Sequence, residues 1–203
     1  MTADATLAAI TDHGVVGIVR AATAEAGHAA ARTFLDAGLA AVEVSLTTPG
    51  ALETIEALTK AGSAVGAGTV RTLAQARDAH AAGATFLVSP LLDLEVVRFA
   101  VEHDLVALPG CLTPSEMATA QLAGAHLVKI FPAHLWSPSA LAGMLEAMPD
   151  LRCVPTGGVS AESAPAWVRA GAAAVGVGGS LTRADDPAAA VASLLVAIRD
   201  ARG

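Results

Sequence analysis

Four triplets, Asp36-Ala-Gly38, Ala81-Ala-Gly83, Leu122-Ala-Gly124 and Arg169-Ala-Gly171, constrain the fold of this chain more than any other feature. Each closes a stretch with amphipathic helical spacing and stands just before a short apolar run. Glycine beyond a helix adopts the left-handed conformation that caps it, because it lacks the Cβ that makes that region costly. Each triplet therefore marks a helix running into the next strand. Together they form a loose repeat of strand, helix and cap.

The predicted strands are residues 15–20, 41–45, 64–69, 86–89, 105–109, 126–131, 152–155 and 173–177. The predicted helices are 23–35, 51–61, 73–82, 94–102, 114–122, 140–147, 161–170 and 188–202. Strands that alternate with helices form parallel sheets, buried on both faces. A chain of 203 residues that is 54% apolar but only 3% aromatic supplies the Ala, Val and Leu such strands need. Eight units without a linker or composition break predict an α/β fold, one (β/α)8 barrel domain over residues 1–203. An open doubly wound sheet is the alternative. It would leave two strands as edges, although every candidate is apolar enough to require cover.

The net charge of −7 argues against a nucleic-acid groove or an anionic membrane surface as partner, and leaves a small anionic molecule open. Cys111 and Cys153 form no CxxC pair and read as reduced, packed thiols. The first residues lack the basic-then-apolar order of a signal peptide, and no apolar run is long enough to span a bilayer. The expectation is a cytoplasmic protein.

Within the apolar segment Ala125–Pro132 stands one cation, Lys129. Burial disfavours an ammonium and drives it to lose its proton. A neutral lysine attacks carbonyl carbon, so imine chemistry is the first hypothesis. The competing reading is a lysine that snorkels to water or pairs with a carboxylate. In a barrel, alternate strand residues face the lumen and functional groups stand at the C-terminal strand ends. That period turns Leu127, Lys129 and Phe131 inward on the sixth strand and Glu43 and Ser45 inward on the second. It leaves Arg20 at the upper rim of the first strand, and on the third it is read as turning Val65, Ala67 and Thr69 inward. One cavity would then hold Arg20, Glu43, Thr69 and Lys129. A structural ion pair is a weak alternative, because desolvation offsets most of the attraction in a buried pair. Functionally, Lys129 would form an imine with a ketone, while Glu43 moves protons during its formation and at the adjacent carbon.

Two glycine pairs follow the last two strands, in Pro155-Thr-Gly-Gly158 and Val177-Gly-Gly-Ser180. Backbone N–H groups close on an anion where no side chain intervenes, and loops after strands seven and eight commonly bind phosphate in barrels. A helix expected to begin after Ser180 would add its positive end. Ordinary tight turns are the alternative.

The segments Gly17-Ile-Val-Arg-Ala21, Val42-Glu-Val-Ser-Leu46, Val65-Gly-Ala-Gly-Thr69, Val88-Ser-Pro90, Pro109-Gly110, Val128-Lys-Ile-Phe-Pro132, Pro155-Thr-Gly-Gly158 and Val175-Gly-Val-Gly-Gly-Ser180 occur in this order. So arranged, the chain resembles the 2-keto-3-deoxy-6-phosphogluconate (KDPG) aldolase family, which includes 4-hydroxy-2-oxoglutarate and phosphogalactonate relatives. The resemblance implies a homotrimeric class I aldolase that needs no metal or other cofactor. It would cleave a phosphorylated keto acid to pyruvate and glyceraldehyde 3-phosphate. It implies Lys129 as the Schiff-base residue and Glu43 as the proton shuttle. Arg20 and Thr69 would hold the pyruvate carboxylate, and Pro90 and Phe131 would wall the reacting carbon. Thr156, Gly157, Gly158, Gly179 and Ser180 would take the distal hydroxyl and phosphate. Some members carry an Arg at the position of Thr47, also counted here among the substrate-binding residues; with Thr there, Arg20 is the guanidinium left for the carboxylate. Thr156 resembles the gluconate-type pattern, whereas Val44–Pro49 looks as much like the galactonate branch.

The six histidines show no metal-ligand spacing. His134 and Trp136 follow the lysine strand, where a lid or a subunit contact would sit. Two rival functions remain at this level: a phosphate-binding isomerase or synthase using Lys129 only as a cation, and a non-catalytic sugar-phosphate sensor.

Overall fold

The computed structural model describes residues 1–203. An opening helix, α1 (Ala3–His13), stands outside the predicted repeat; Thr2 caps its start and Gly14 its end. There follow β1 (Val15–Val19), α2 (Ala24–Asp36), β2 (Ala41–Ser45), α3 (Ala51–Lys60), β3 (Ala64–Gly68), α4 (Leu73–Ala81), β4 (Phe86–Val88) and α5 (Leu94–Glu102). The second half comprises β5 (Val106–Leu108), β6 (Gly110–Cys111), α6 (Pro114–Leu122), β7 (Val128–Ile130), α7 (Pro138–Ala147), β8 (Cys153–Pro155), α8 (Ala164–Arg169), β9 (Val175–Val177), α9 (Gly179–Thr182) and α10 (Pro187–Arg202). The glycine of each triplet is left-handed, with φ of 102° at Gly38, 86° at Gly83, 94° at Gly124 and 97° at Gly171.

The strands pair in parallel as β5-β4-β3-β2-β1-β9 and β6-β7-β8. β5 and β6 are pieces of one strand path interrupted at Pro109, which has no N–H for the ladder. Leu127 N–H donates to Ala107 O at 3.3 Å and Lys129 N–H to Pro109 O at 2.9 Å, joining the two sheets on one side. On the other, Ala173 N–H donates to Cys153 O at 2.9 Å, and Thr156 bridges Gly176. These bonds close the ring, and the architecture is the expected eight-position barrel rather than an open sheet.

Most of the apolar core, 43 buried residues, lies between ring and helices, against 12 inside the lumen and at its base. The upper lumen is thus left to polar groups without starving the core. Strand parity assigns the faces: Val16, Ala41, Ala64, Phe86, Val106, Leu127, Val154 and Ala174 belong to the lumen cluster, while Val15, Val42, Val65, Val128 and Val175 belong to the outer one. The third strand departs from expectation, because Val65 and Ala67 pack outward and Ala64, Gly66 and Gly68 hold the inward positions. The pattern misleads there because glycines carry the inward parity, so the apolar residues mark the helix face. A Cβ on Gly66 would overlap the Phe86 ring, so the missing side chain makes room for an aromatic filler.

α1 plugs the base of the barrel. Ala3 and Ile10 are buried against the lumen cluster. Arg202 of α10 ties the helix down by donating to Asp12 O at 2.6 Å, Thr11 O at 2.7 Å and Ala173 O at 3.0 Å. No helix is long and apolar enough to cross a membrane.

Candidate active site

At the C-terminal end of the strands lies a cavity of about 460 Å³. β1 delivers Ile18 and then Arg20 to it by parity, β2 delivers Glu43 and β7 delivers Lys129, with Phe131 following. Pro90 enters from the loop after β4. Thr69 also lines the cavity, but by a different route from the one expected: it lies past the last residue of β3, in a loop where the two-residue period no longer applies.

Lys129 and Glu43 are 4% and 3% exposed, so both sit essentially out of water. Desolvation pushes the Lys129 amine below its ordinary value; the Glu43 carboxylate opposes this, and the Arg20 guanidinium reinforces it. Desolvation likewise raises the Glu43 carboxyl, against the pull of Lys129 and Arg20. Both shifts favour the uncharged forms, an amine with a free lone pair and an acid with a proton to give. The two are not locked together: the ion pairs within 4.0 Å are the surface pairs Arg32–Asp36 and Lys60–Glu56. The Lys129 Nζ stands 4.6 Å from the centroid of the Phe131 ring.

The Glu43 side chain depends on a glycine opposite. A Cβ on Gly68 would fall on the Glu43 carboxylate, which leaves no room for any side chain at that inward position. Gly68→Ala is expected to displace the carboxylate and lower kcat about 10²-fold, on the scale that a 1 Å misplacement costs. Covalent trapping of a keto acid on Lys129 should persist, since the amine is untouched. Steady-state kinetics beside mass spectrometry of the trapped protein checks both halves.

The opposite wall is made of the last two strand ends. Thr156 is buried, and its hydroxyl donates to Val154 O at 3.2 Å, leaving its lone pairs for a ligand hydroxyl. Gly176 faces it, and a Cβ there would overlap the Thr156 hydroxyl. Gly157 and Gly158 have φ of 83° and 93°, and Gly179 completes this wall. The loop is held by Ala133 N–H donating to Thr156 O at 2.8 Å and His134 N–H to Gly157 O at 3.1 Å.

Two expected residues do not line the cavity. Thr47 is exposed and its hydroxyl engages that of Ser45 at 2.8 Å, because it stands past the end of β2 on a turn directed away. Ser180 turns its hydroxyl into the protein, where it is buried without a partner. The helix expected after Ser180 begins instead at Gly179 and is a single four-residue turn, too short to carry much of a dipole. In their place the structure adds Ile18, Val159, Gly176, Gly178, Thr182 and Arg183. Ile18, Gly176 and Gly178 share the inward parity of their strands and were accessible to that argument. Thr182 and Arg183 required knowing where α9 starts.

Other candidates resolve simply. Trp136 donates its indole N–H to Leu112 O at 3.0 Å, a strut between the loops after β6 and β7. Cys111 and Cys153 are buried and pushed up to about 12, in both cases chiefly by desolvation, so neither is a nucleophile. No group of three or more His, Cys, Asp or Glu side chains converges.

Residues 7–192 match the family described as "Aldolase: KDPG and KHG aldolase". Over 174 residues the chain is 34% identical to the 2-dehydro-3-deoxy-6-phosphogalactonate aldolase of Escherichia coli (strain K12), covering 84% of this chain and 85% of that one. It superposes with a TM-score of 0.86 and 31% identity on a cube-shaped, highly porous protein cage designed by fusing symmetric oligomeric domains, covering 93% of this chain and 73% of the cage chain. A KDPG aldolase from Legionella pneumophila, with pyruvate captured at low pH as a covalent carbinolamine intermediate, superposes at 0.78 with 25% identity and covers 98% of each chain.

Proposed function

The chain belongs to the KDPG and KHG aldolase family, and from that premise we propose that it cleaves 2-keto-3-deoxy-6-phosphogluconate to pyruvate and glyceraldehyde 3-phosphate. The observation that carries the reading is the pairing, in one cavity, of a buried amine held below its ordinary pKa with a buried carboxyl held above its own. The carbinolamine of the Legionella relative supports the same covalent route.

The neutral Lys129 Nζ attacks the C2 carbonyl and gives a carbinolamine. Glu43 protonates the departing hydroxyl, water leaves, and a protonated imine remains. The C4 hydroxyl then yields its proton to the Glu43 carboxylate as the C3–C4 bond breaks. The bond electrons pass into the imine, releasing the aldehyde and leaving an enamine. Glu43 returns that proton to C3, and water hydrolyses the pyruvate imine to free Lys129. One acid therefore serves every transfer, changing form at each step. Arg20 and Thr69 hold the pyruvate carboxylate, Pro90 and Phe131 wall the reacting carbon, and Thr156 with Gly157, Gly158 and Gly179 receives the distal end. The covalent bond forms on Lys129 itself, with no metal or other cofactor in the scheme.

The Thr156 hydroxyl beside the glycine wall favours the gluconate-type substrate. The 34% identity to a phosphogalactonate aldolase, over 84% of this chain, favours the epimer as second reading. Incubation with pyruvate and borohydride should leave a reduced adduct on Lys129, and faster turnover of the phosphogluconate than of its galactonate epimer should follow. No adduct would return the protein to the isomerase or sensor readings; a reversed preference would select the second substrate.

We place the reaction in the cytoplasm and in a homotrimer. Leu91 and Leu112, on loops, and Leu135, at the end of a short 3-10 turn, lie at the C-terminal rim with exposures of 45%, 36% and 63%. Such apolar exposure beside a site is what a second copy would cover. The symmetric oligomeric domains of the designed cage support self-association.

A further inference from the structure

At the end of the cavity away from Lys129, the glycine wall supplies backbone N–H groups but no formal charge, and α9 is too short to add one. A phosphate carries about −1.5 to −2 at neutral pH. The protein bears a net charge of −7, so this end needs a local cation if it is to favour phosphate over water. Of the basic residues in the lining, Arg183 is the one beside Gly179 at this end.

Its position is set by the single turn of α9. Arg183 N–H donates to Gly179 O at 3.2 Å, which places residue 183 one turn above residue 179. The side chain folds back over that glycine. A Cβ at position 179 would stand 2.5 Å from Arg183 Nη1 and 2.9 Å from Nη2, so Gly179 is the space in which the guanidinium lies. The guanidinium makes no hydrogen bond or ion pair within the chain, although two carboxylates follow closely in sequence. One of them, Asp186, accepts from Ala189 N–H at 3.0 Å as the cap of α10. A planar fork of donors is therefore free at the cavity wall beside Gly157, Gly158 and Gly179.

We propose that Arg183 is a specificity-determining residue that reads the phosphate of the substrate, rather than a residue of the chemical step. The inference rests on the aldolase reading for the identity of the substrate. Arg20 answers the charge at one end of that molecule and Arg183 the charge at the other. A bidentate guanidinium–phosphate contact is stronger and more directional than backbone donors alone. Keto acids without phosphate leave Arg183 in water and gain nothing from it.

The test uses Arg183→Gln and Arg183→Lys in the full chain. For the phosphorylated substrate, Arg183→Gln should raise KM about 10- to 100-fold, the scale of a lost charge-assisted contact, with kcat changed less than about threefold. Arg183→Lys should recover part of the loss, since it restores charge without the fork. KM for 2-keto-3-deoxygluconate, the same acid without its phosphate, should stay within about twofold of wild type. Binding of inorganic phosphate, followed by calorimetry, should weaken by a similar factor and needs no turnover. An unchanged KM with unchanged phosphate binding overturns the assignment, as does an equal loss towards both substrates. A wild-type protein that binds phosphate through Arg183 yet traps no pyruvate would sink the aldolase reading and leave this one standing.

Discussion

Lys129→Met abolishes turnover and raises the melting temperature; both results are expected from one group. Loss of the nucleophile removes the covalent route, so kcat should fall by about 10⁴-fold or more, and borohydride should trap no pyruvate. The stability gain follows from burial. An amine that is 4% exposed must either keep its charge out of water or give up a proton it would hold in the unfolded chain. Its interaction with the Phe131 ring returns only about 0.5–2 kcal/mol. Replacing a buried ion pair by apolar groups of similar volume is often stabilising by about 1–4 kcal/mol, and a Glu43 carboxyl raised by desolvation keeps its proton once Lys129 is gone, so no charge is stranded. For a chain of this size that corresponds to roughly 2–4 °C per kcal/mol.

The sign with pH follows from the direction of the shift. The folded-state value of Lys129 lies below the ordinary 10.5, so the unfolded chain binds more protons between the two. The lysine's penalty is complete below the folded value and fades as pH approaches 10.5. The advantage of methionine should therefore be largest at acid pH and shrink as pH rises towards 10.5. Calorimetry across that range, beside kinetics, gives the answer. A variant that melts lower at neutral pH, or keeps more than about 1% of turnover, contradicts the account.

Glu43→Gln should leave the barrel intact and lower kcat by about 10²–10⁴-fold, the usual contribution of a positioned acid and base. The amide matches the carboxyl in shape and fits opposite Gly68, so a large fall reports proton transfer rather than packing. The variant also has a readout that a structural role would not move. The Glu43 carboxylate raises the Lys129 value, so removing it should shift the pH midpoint for trapping pyruvate on Lys129 downwards. A midpoint that moves upwards, or a loss of less than about tenfold in kcat, would remove Glu43 from its role.

Much of this site was legible before any coordinates. The lysine strand and the glutamate strand each keep their outward positions apolar, so the inward parity of Lys129 and Glu43 could be read directly. The third strand shows the limit of that method. Its inward positions end in Gly66 and Gly68, which are silent in a hydrophobic pattern, and the expected faces came out inverted. Thr69 still reached the cavity, through a loop to which no period applies. The basal helix α1 was also missed, although Thr2 and Gly14 supply ordinary cap signals at its ends.

The order of elements, the closed ring and the pairing of an amine with an acid were determined by sequence alone, because caps and side-chain periods are local and recur from one strand–helix unit to the next. Only the tertiary structure decided what lies on the loops. Thr47 and Ser180 turned away, and Arg183 came over Gly179, because loop and single-turn geometry answers to packing between distant segments, and that packing has no period to read.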